Sequence, residues 1–447
     1  MSTRQASVRG IALLLFLVAA PASAVIGTID DVPAATLLLP YFEVDLDNPN
    51  GMTTLFSVNN ASKFAAVAHI TLWTDESIPT LDFDVYLTGY DVQTFNIRDI
   101  FNGRLPATAD LGSDPKDTVS PQGALSDDID FPGSTGPCGS ASTVYTDPAL
   151  SSTLITHLRR SHTGLSSPLF NNRCAGASYG DNIARGYITM DSVTACNLLF
   201  PSDAGYFASF ADSRNILWGD YFYINPGANL ASGETLVHIE ACSLETPPSF
   251  QLGLQPARTG PCPFTAGDYT FYGRYGGTGG QREPLATTFA SRYNNGGAFD
   301  GGTDLLVWRD SKVANPQAFV CGSNASWFPL AQTDVVAFDE QEEVTYLCSE
   351  GDNVSPLTTG DACFPLETQR IFVKGGNLVA TDMNPPAPFG WLYLNLNHAL
   401  ASDPYPGVAQ AWVTTAISAE GRFEVGYDAI QLDNASRTVP GGVILSR

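Results

Sequence analysis

Leu81-Asp82-Phe83-Asp84-Val85-Tyr86-Leu87 alternates apolar and polar side chains with period two, the pattern of a half-buried strand. Comparable β-rich runs recur at residues 53–58, 66–73, 186–190, 221–224, 235–240, 305–308, 391–396 and 409–414, between turns rich in Gly and Asn. Asn59-Asn60-Ala61-Ser62, between the first two runs, reads as a hairpin turn. Short strands and frequent turns favour a mainly β fold of β-sandwich or jelly-roll-like units, with one short helix and long loops, over a parallel α/β sheet. Composition agrees: charged residues make up 15% of the 447 positions and glycine supplies 41, where a charged share of about 25% is usual.

Residues 1–24 read as a secretory signal peptide, with Arg4 and Arg9, an apolar run over residues 11–20, and Ala22-Ser23-Ala24 as the cleavage pattern. That run is too short to span a bilayer, and no later stretch approaches the ~20 apolar residues that spanning needs. A secreted or periplasmic protein without a membrane anchor is expected. The rest is long for one core. The expected division is an N-terminal β-sandwich over 25–106, a loop-rich linker with one helix over 107–180, and a larger disulfide-stapled β domain over 181–447. The helix has Asp147 to cap it, Pro148 at its first position, and Leu150, Leu154, Ile155 and Leu158 on one face. Arg159 and Arg160 suit its last turn and Gly164 stops it. A net charge of −24 argues against nucleic acid and membrane surfaces as partners.

Eight cysteines, Cys138, Cys174, Cys196, Cys242, Cys262, Cys321, Cys348 and Cys363, follow the leader. An even number in an exported chain points to disulfides, and no C-x-x-C spacing suggests zinc or thiol exchange. Pairing of sequence neighbours is the simplest expectation: 138 with 174, 196 with 242, 262 with 321, and 348 with 363.

Catalytic signatures are weak. Gly176-Ala177-Ser178-Tyr179-Gly180 matches G-x-S-x-G, but a nucleophile elbow needs a buried strand before it and a helix after it. Asn171-Asn172-Arg173-Cys174 precedes it here, and a strand follows, so a Gly-rich turn beside a disulfide is expected. His238 and His398, the histidines that would have to serve as base, have no sequence link to Ser178. His238-Ile239-Glu240 lacks the P-C-x-x-C partner of zinc deaminases, and His157 and His162 do not share a helix face well. Calcium is the one ion worth weighing, in an Asp45, Asp47, Asn50 loop or a loop holding Asp300 and Asp304, but neither matches a complete binding motif and a plain turn is the default for both.

Between residues 270 and 310, aromatic and guanidinium side chains interleave with Gly-rich turns, and Tyr272, Arg274, Tyr275, Arg292, Tyr293 and Trp308 form a candidate ligand-binding set. Exposed rings stack on sugars while Arg fixes orientation. Aromatic core positions with Arg on the wet face would give the same pattern. Asn60, Asn324, Asn353 and Asn434 stand in Asn-x-Ser sequons.

Leu39-Pro40-Tyr41-Phe42-Glu43-Val44-Asp45, Leu217-Trp218-Gly219-Asp220-Tyr221-Phe222 and Ala429-Ile430-Gln431-Leu432-Asp433 resemble exported proteins of Gram-negative bacteria. The resemblance implies an exported bacterial protein and brings no activity, fold or site with it. The functional expectation is an exported, non-catalytic binding or extracellular structural protein whose extracellular ligand is a carbohydrate or a protein. The alternative is a secreted hydrolase acting on glycans or esters. Its acids would come from Asp220, Glu240, Glu283 and Asp304, with two carboxylates facing each other across a cleft.

Overall fold

Strand β1 (Thr36–Asp45) is buried on both faces, and this double burial organises the molecule. A computed structural model of the chain describes residues 32–63, 66–87, 89–105, 150–241, 268–275, 282–348, 362–398 and 407–435. The expected leader, residues 107–149 of the expected linker with Cys138, Asp147 and Pro148, and Asn353, Cys242 and Cys262 lie outside the described residues. The mainly β reading holds: antiparallel sheets pack face to face as two sandwiches.

The first sandwich takes β1, β2 (Thr53–Asn60), β3 (Ala66–Trp73), β4 (Pro79–Leu87) and β5 (Val92–Asn96), then helices α1 (Ile97–Phe101) and α2 (Ser152–Ser161). It continues with β6 (Ile183–Val193), helix α3 (Tyr206–Ser209), β7 (Leu217–Trp218), β8 (Asp220–Asn225), β9 (Leu230–Thr235) and β10 (Val237–Ile239). One sheet runs β10-β1-β6-β3-β4 and the other β5-β2-β8-β9, with β7 paired to β2. Leu37, Leu39, Phe56, Ile70, Phe83 and Ile188 fill the core between them, each contributing about 1.5–3 kcal/mol on burial. Pro40, which has no N–H to donate, sits where the β1–β6 register shifts between Leu39 and Phe42.

Two expectations change here. The turn at residues 59–62 does not make a hairpin: β2 and β3 lie in different sheets, and β3 pairs with β4 through a turn at residues 74–78 instead. The sheets also do not part at residue 106 or 180, because β6 to β10 complete the sheets that β1 to β5 begin. Period-two patterning tells which residues face a core but not which strand lies alongside. The expected helix is α2, one turn shorter at its start: Ser151 caps it, its hydroxyl accepting from the Leu154 amide at 3.2 Å, in place of Asp147. Arg159 and Arg160 occupy its last turn, and Gly164 beyond it takes φ 70°.

The second sandwich comprises β11 (Ala286–Asn294), β12 (Gly302–Arg309), β13 (Asp334–Asp339), β14 (Val344–Leu347), β15 (Thr368–Phe372), β16 (Phe389–Asn395), β17 (Ala411–Ala419), β18 (Phe423–Asp428) and β19 (Ile430–Asn434). Sheet β14-β13-β16-β11-β19 faces sheet β15-β12-β17-β18 across a core of Phe289, Leu305, Val307, Val335, Leu394 and Val413.

The sandwiches meet along a seam. Leu38, Trp73 and Tyr187 on the outer face of the β1 sheet pack with Trp308 and Trp412, cross-strand partners on β12 and β17. All eight residues of β12 are consequently buried.

Candidate functional site

Three polar clusters are built into the seam, and they are fully occupied by the chain itself. Arg274 donates to Glu367 Oε1 at 2.6 Å, Asp310 Oδ1 at 3.3 Å and the Tyr187 hydroxyl at 3.0 Å. Asp191 accepts from Thr36 at 2.5 Å, Tyr206 at 2.8 Å and Tyr272 at 2.9 Å. Arg370 joins Asp304 at 2.6 Å to Glu43 of β1 at 2.8 Å.

This changes the reading of the aromatic and Arg-rich segment. Tyr272, Arg274 and Trp308 are buried in the seam, Tyr275 is half-buried beside Trp73, and Tyr293 lies in the second core. Arg292 alone of the set is exposed, and it pairs with Glu340 at 2.8 Å. The open aromatic platform expected from the sequence is therefore not formed by these six residues; most of them hold the two sandwiches together. The alternation looked like a wet face because β12 and the segment around Tyr272 have protein on both sides.

The expected calcium ligands are likewise engaged. Asp45 Oδ1 accepts from the Asp47 and Asn48 amides, both at 3.0 Å, Asp47 accepts from the Asn182 side chain at 2.6 Å, and the Asn50 amide donates to Asn48. Asp300 is an exposed partner of Arg422 at 2.8 Å, whereas Asp304 faces the seam. Among the described residues no cluster of three His, Cys, Asp or Glu side chains could hold a metal ion. His157 and His162 bond to Ser167 and Thr80, and burial pushes His162 down to about 4. Of the candidate acids, Asp220 on β8 accepts from Ser57 and Glu240, beyond β10, from Asn215, the Glu283 amide donates to the Glu240 carbonyl at 2.9 Å and so puts those two residues side by side, and Asp304 is tied to Arg370.

At one end of the seam the packing opens into a cavity of about 240 Å³. One residue of the turn between β3 and β4, Glu76, reaches its wall. Thr74, Asp75, Glu76 and Ser77 are all buried, which is unusual because turns ordinarily run over the surface. Thr74 donates to the Ala175 carbonyl at 2.5 Å, Ser77 contacts the Tyr187 hydroxyl at 2.9 Å, and the Glu367 amide donates to the Asp75 carbonyl at 3.0 Å. Asp75 Oδ1 accepts from the Ala177 amide at 3.0 Å. Glu76 lines the cavity and accepts from the Ala325 amide at 3.2 Å through Oε2. Its Oε1 is buried without a hydrogen-bond partner among the described residues.

The walls come from both sandwiches. Residues 164–178 supply one side, and Phe319, Ser323, Asn324 and Phe328 with Pro365 and Leu366 supply the other. Cys174 and Phe319 exchange two backbone hydrogen bonds, each 2.9 Å. Beside this bridge Cys174 is joined to Cys321, 147 residues on. Closing so long a loop stabilises the folded state by roughly 2–4 kcal/mol in ordinary cases and about 5 kcal/mol by loop-closure entropy alone. The neighbour pairings 138–174 and 262–321 are thereby corrected, since the sandwiches bring two distant loops together. Cys348–Cys363 forms as expected, Cys196 is also disulfide-bonded, and no described cysteine is free. These disulfides fit an oxidising compartment, and among the described residues no helix is long and apolar enough to cross a membrane.

The G-x-S-x-G string belongs to this cavity, though not as an elbow. A Cβ on Gly176 would stand 2.6 Å from Asp75 Oδ1, so the glycine lets the loop close over that carboxyl, and Gly180 takes φ 73° in an open turn. Ser178 is exposed at the rim. His238 and His398 bond to Gly219 and to the Asp310 carbonyl, outside the cavity wall. Burial, against the pull of the Ala177 amide and the Arg185 guanidinium, pushes Asp75 up to about 7. Burial first, and the Asp75 charge second, push Glu76 up to about 8. Both carboxyls are thus held protonated well above the usual carboxylate range.

Comparison of the chain with family models, curated proteins and solved structures finds no match.

Proposed function

We propose that the protein is an exported, non-catalytic binding protein that takes a small polar ligand, of carbohydrate type, in the cleft between its two sandwiches. The observation that carries this reading is the cavity itself, whose wall mixes polar groups with phenyl rings and includes the buried Glu76. Phe319 and Phe328 offer apolar faces, and Ser178, Ser323 and Asn324 offer polar groups at the rim. This mixture suits a polyol more than a hydrocarbon. The leader pattern and the disulfides support work outside the cytoplasm. A hydrolase would need a second carboxylate facing Glu76 about 5–10 Å away, whereas Asp75, its chain neighbour, is turned to the Ala177 amide.

Titration calorimetry of the mature chain against a panel of monosaccharides tests the proposal. Binding in the micromolar to millimolar range, weakened at least tenfold by Glu76→Ala, is the expected outcome. Absence of binding across the panel, or binding indifferent to Glu76, would overturn it.

A further inference from the structure

The sheet of the second sandwich that lies away from the seam carries an apolar row belonging to neither core. On sheet β14-β13-β16-β11-β19, Leu347, Val335, Leu392, Leu394 and Phe289 point into the core. The alternate positions therefore face outward. In register across the five strands they are Tyr346, Val336, Tyr393, Ala290 and Ile430, one from each strand. Tyr346 is 55% and Ile430 69% exposed. Four gaps between strands make the row about 19 Å long, and its large side chains stand on every second strand, roughly 10 Å apart. The smaller Val336 and Ala290 lie between them.

A polar row, Asp334, Asn395, Thr288 and Asp433, runs beside the apolar one. Burial, then the Asp334 charge and, more weakly, the Asp433 charge hold the Tyr393 phenol above its usual range, which puts both carboxylates near that ring. On the other flank Phe338 stacks on Trp391 at 4.1 Å. Arg292, the cross-strand partner of Trp391, is held by Glu340 at 2.8 Å. The face is thus acidic on a chain of net charge −24. That charge opposes a second copy of the chain and any anionic polymer, and it complements a cation.

We propose that this face binds a linear β-1,4-linked glycan carrying ammonium groups, a polymer of glucosamine, laid across the strands. In such a chain alternate sugar rings turn the same face to one side, a repeat that the two-strand spacing of Tyr346, Tyr393 and Ile430 meets. The C–H faces of the sugars pack on these side chains, and the ammonium groups pair with Asp334 and Asp433. A basic polypeptide would meet the carboxylates without needing the spacing. The site is separate from the cleft between the sandwiches and does not rest on the cleft being a ligand site.

The test measures binding of β-1,4-linked glucosamine oligomers, from dimer to hexamer, to the full mature protein. The N-acetylglucosamine hexamer, the glucose hexamer and a lysine hexamer serve as controls. The glucosamine hexamer should bind about tenfold tighter than the dimer, because the row is longer than a dimer. It should also bind about tenfold tighter than either neutral hexamer at low salt. Tyr393→Ala should weaken the hexamer about tenfold. Tyr346→Ala, on an edge strand and exposed, should weaken it about fivefold with the melting temperature unchanged. Asp334→Asn combined with Asp433→Asn should erase the preference over the neutral hexamers. The length series and the controls are read on the unaltered chain, so the test does not depend on a variant folding. Affinity that does not grow with length, neutral hexamers bound as tightly, indifference to Tyr346→Ala, or no binding would each overturn the proposal. Equal binding of the lysine hexamer would also overturn it and assign the face to basic polypeptides. The monosaccharide panel reads the cleft by itself, so failure there and failure here are told apart.

Discussion

Two buried glutamates on one seam, Glu367 and Glu76, are held in opposite ways. Glu367 receives Arg274 at 2.6 Å, the Tyr187 hydroxyl at 2.9 Å and the Ser311 amide at 3.3 Å. Glu76 receives a single amide and faces a cavity. They are linked through one turn, since the Glu367 amide donates to Asp75 beside Glu76. A buried carboxyl whose lone pairs are used up serves as an internal tie between the sandwiches, and one left partly unsatisfied carries the cost of its own burial. Burial alone, or the mere presence of polar residues between the sandwiches, does not separate these roles; the partner inventory does.

The largest effect should come from breaking the saturated end. Arg274→Met leaves Glu367 and Asp310 buried without their shared cation, and a loss of about 3–5 kcal/mol is expected in urea unfolding. A loss under ~1 kcal/mol would show that the tie is dispensable. The unsaturated end should respond in the opposite sense, by an amount that grows from about pH 4 to pH 8. Folding raises Asp75 from 3.8 to about 7 and Glu76 from 4.5 to about 8. The stability gained by holding these protons is full below about pH 4 and is lost as pH rises through 7 and 8. Glu76→Gln should therefore match the parent near pH 4–5 and exceed it by about 1–3 kcal/mol at pH 9 in thermal or urea melts. A deficit at pH 9 would mean that the ionised carboxylate has a cation partner. The smallest effect belongs to the surface. Arg292→Ala removes the exposed Glu340 pair and should shift stability by no more than about 0.5 kcal/mol, which separates it from the buried members of the same sequence cluster.

The sequence made the strands legible because their patterning is local. The run at residues 81–87 became most of β4 (Pro79–Leu87), and the face of Leu154, Ile155 and Leu158 became α2. Residues whose environment is set by distant chain were not legible. Asp75-Glu76-Ser77 reads as an ordinary polar turn, and segments far away in the chain, among them the loops at 164–178 and 319–328 and the strand start at Glu367, bury it. Tyr272 and Trp308 read as possible surface platforms because nothing in a strand tells whether its second face meets water or another sheet. One sign was available: residues 305–308 are apolar without alternation, the mark of a strand covered on both faces.

The order of strands in the first sandwich bears on how the chain acquires its shape. Strand β1 finds its neighbours in β6 and β10, the first of them about 140 residues later, and β3 shares β6 on its other side. Until residue 193 has been synthesised, β1 and β3 have no strand between them, and their apolar faces have nowhere to dock. Pairings of such long range delay folding, and exposed strand edges invite association with other chains in the interval. A protein built this way gains its native state late and nearly all at once, so severing it after residue 180 would yield two fragments with incomplete sheets in place of two domains.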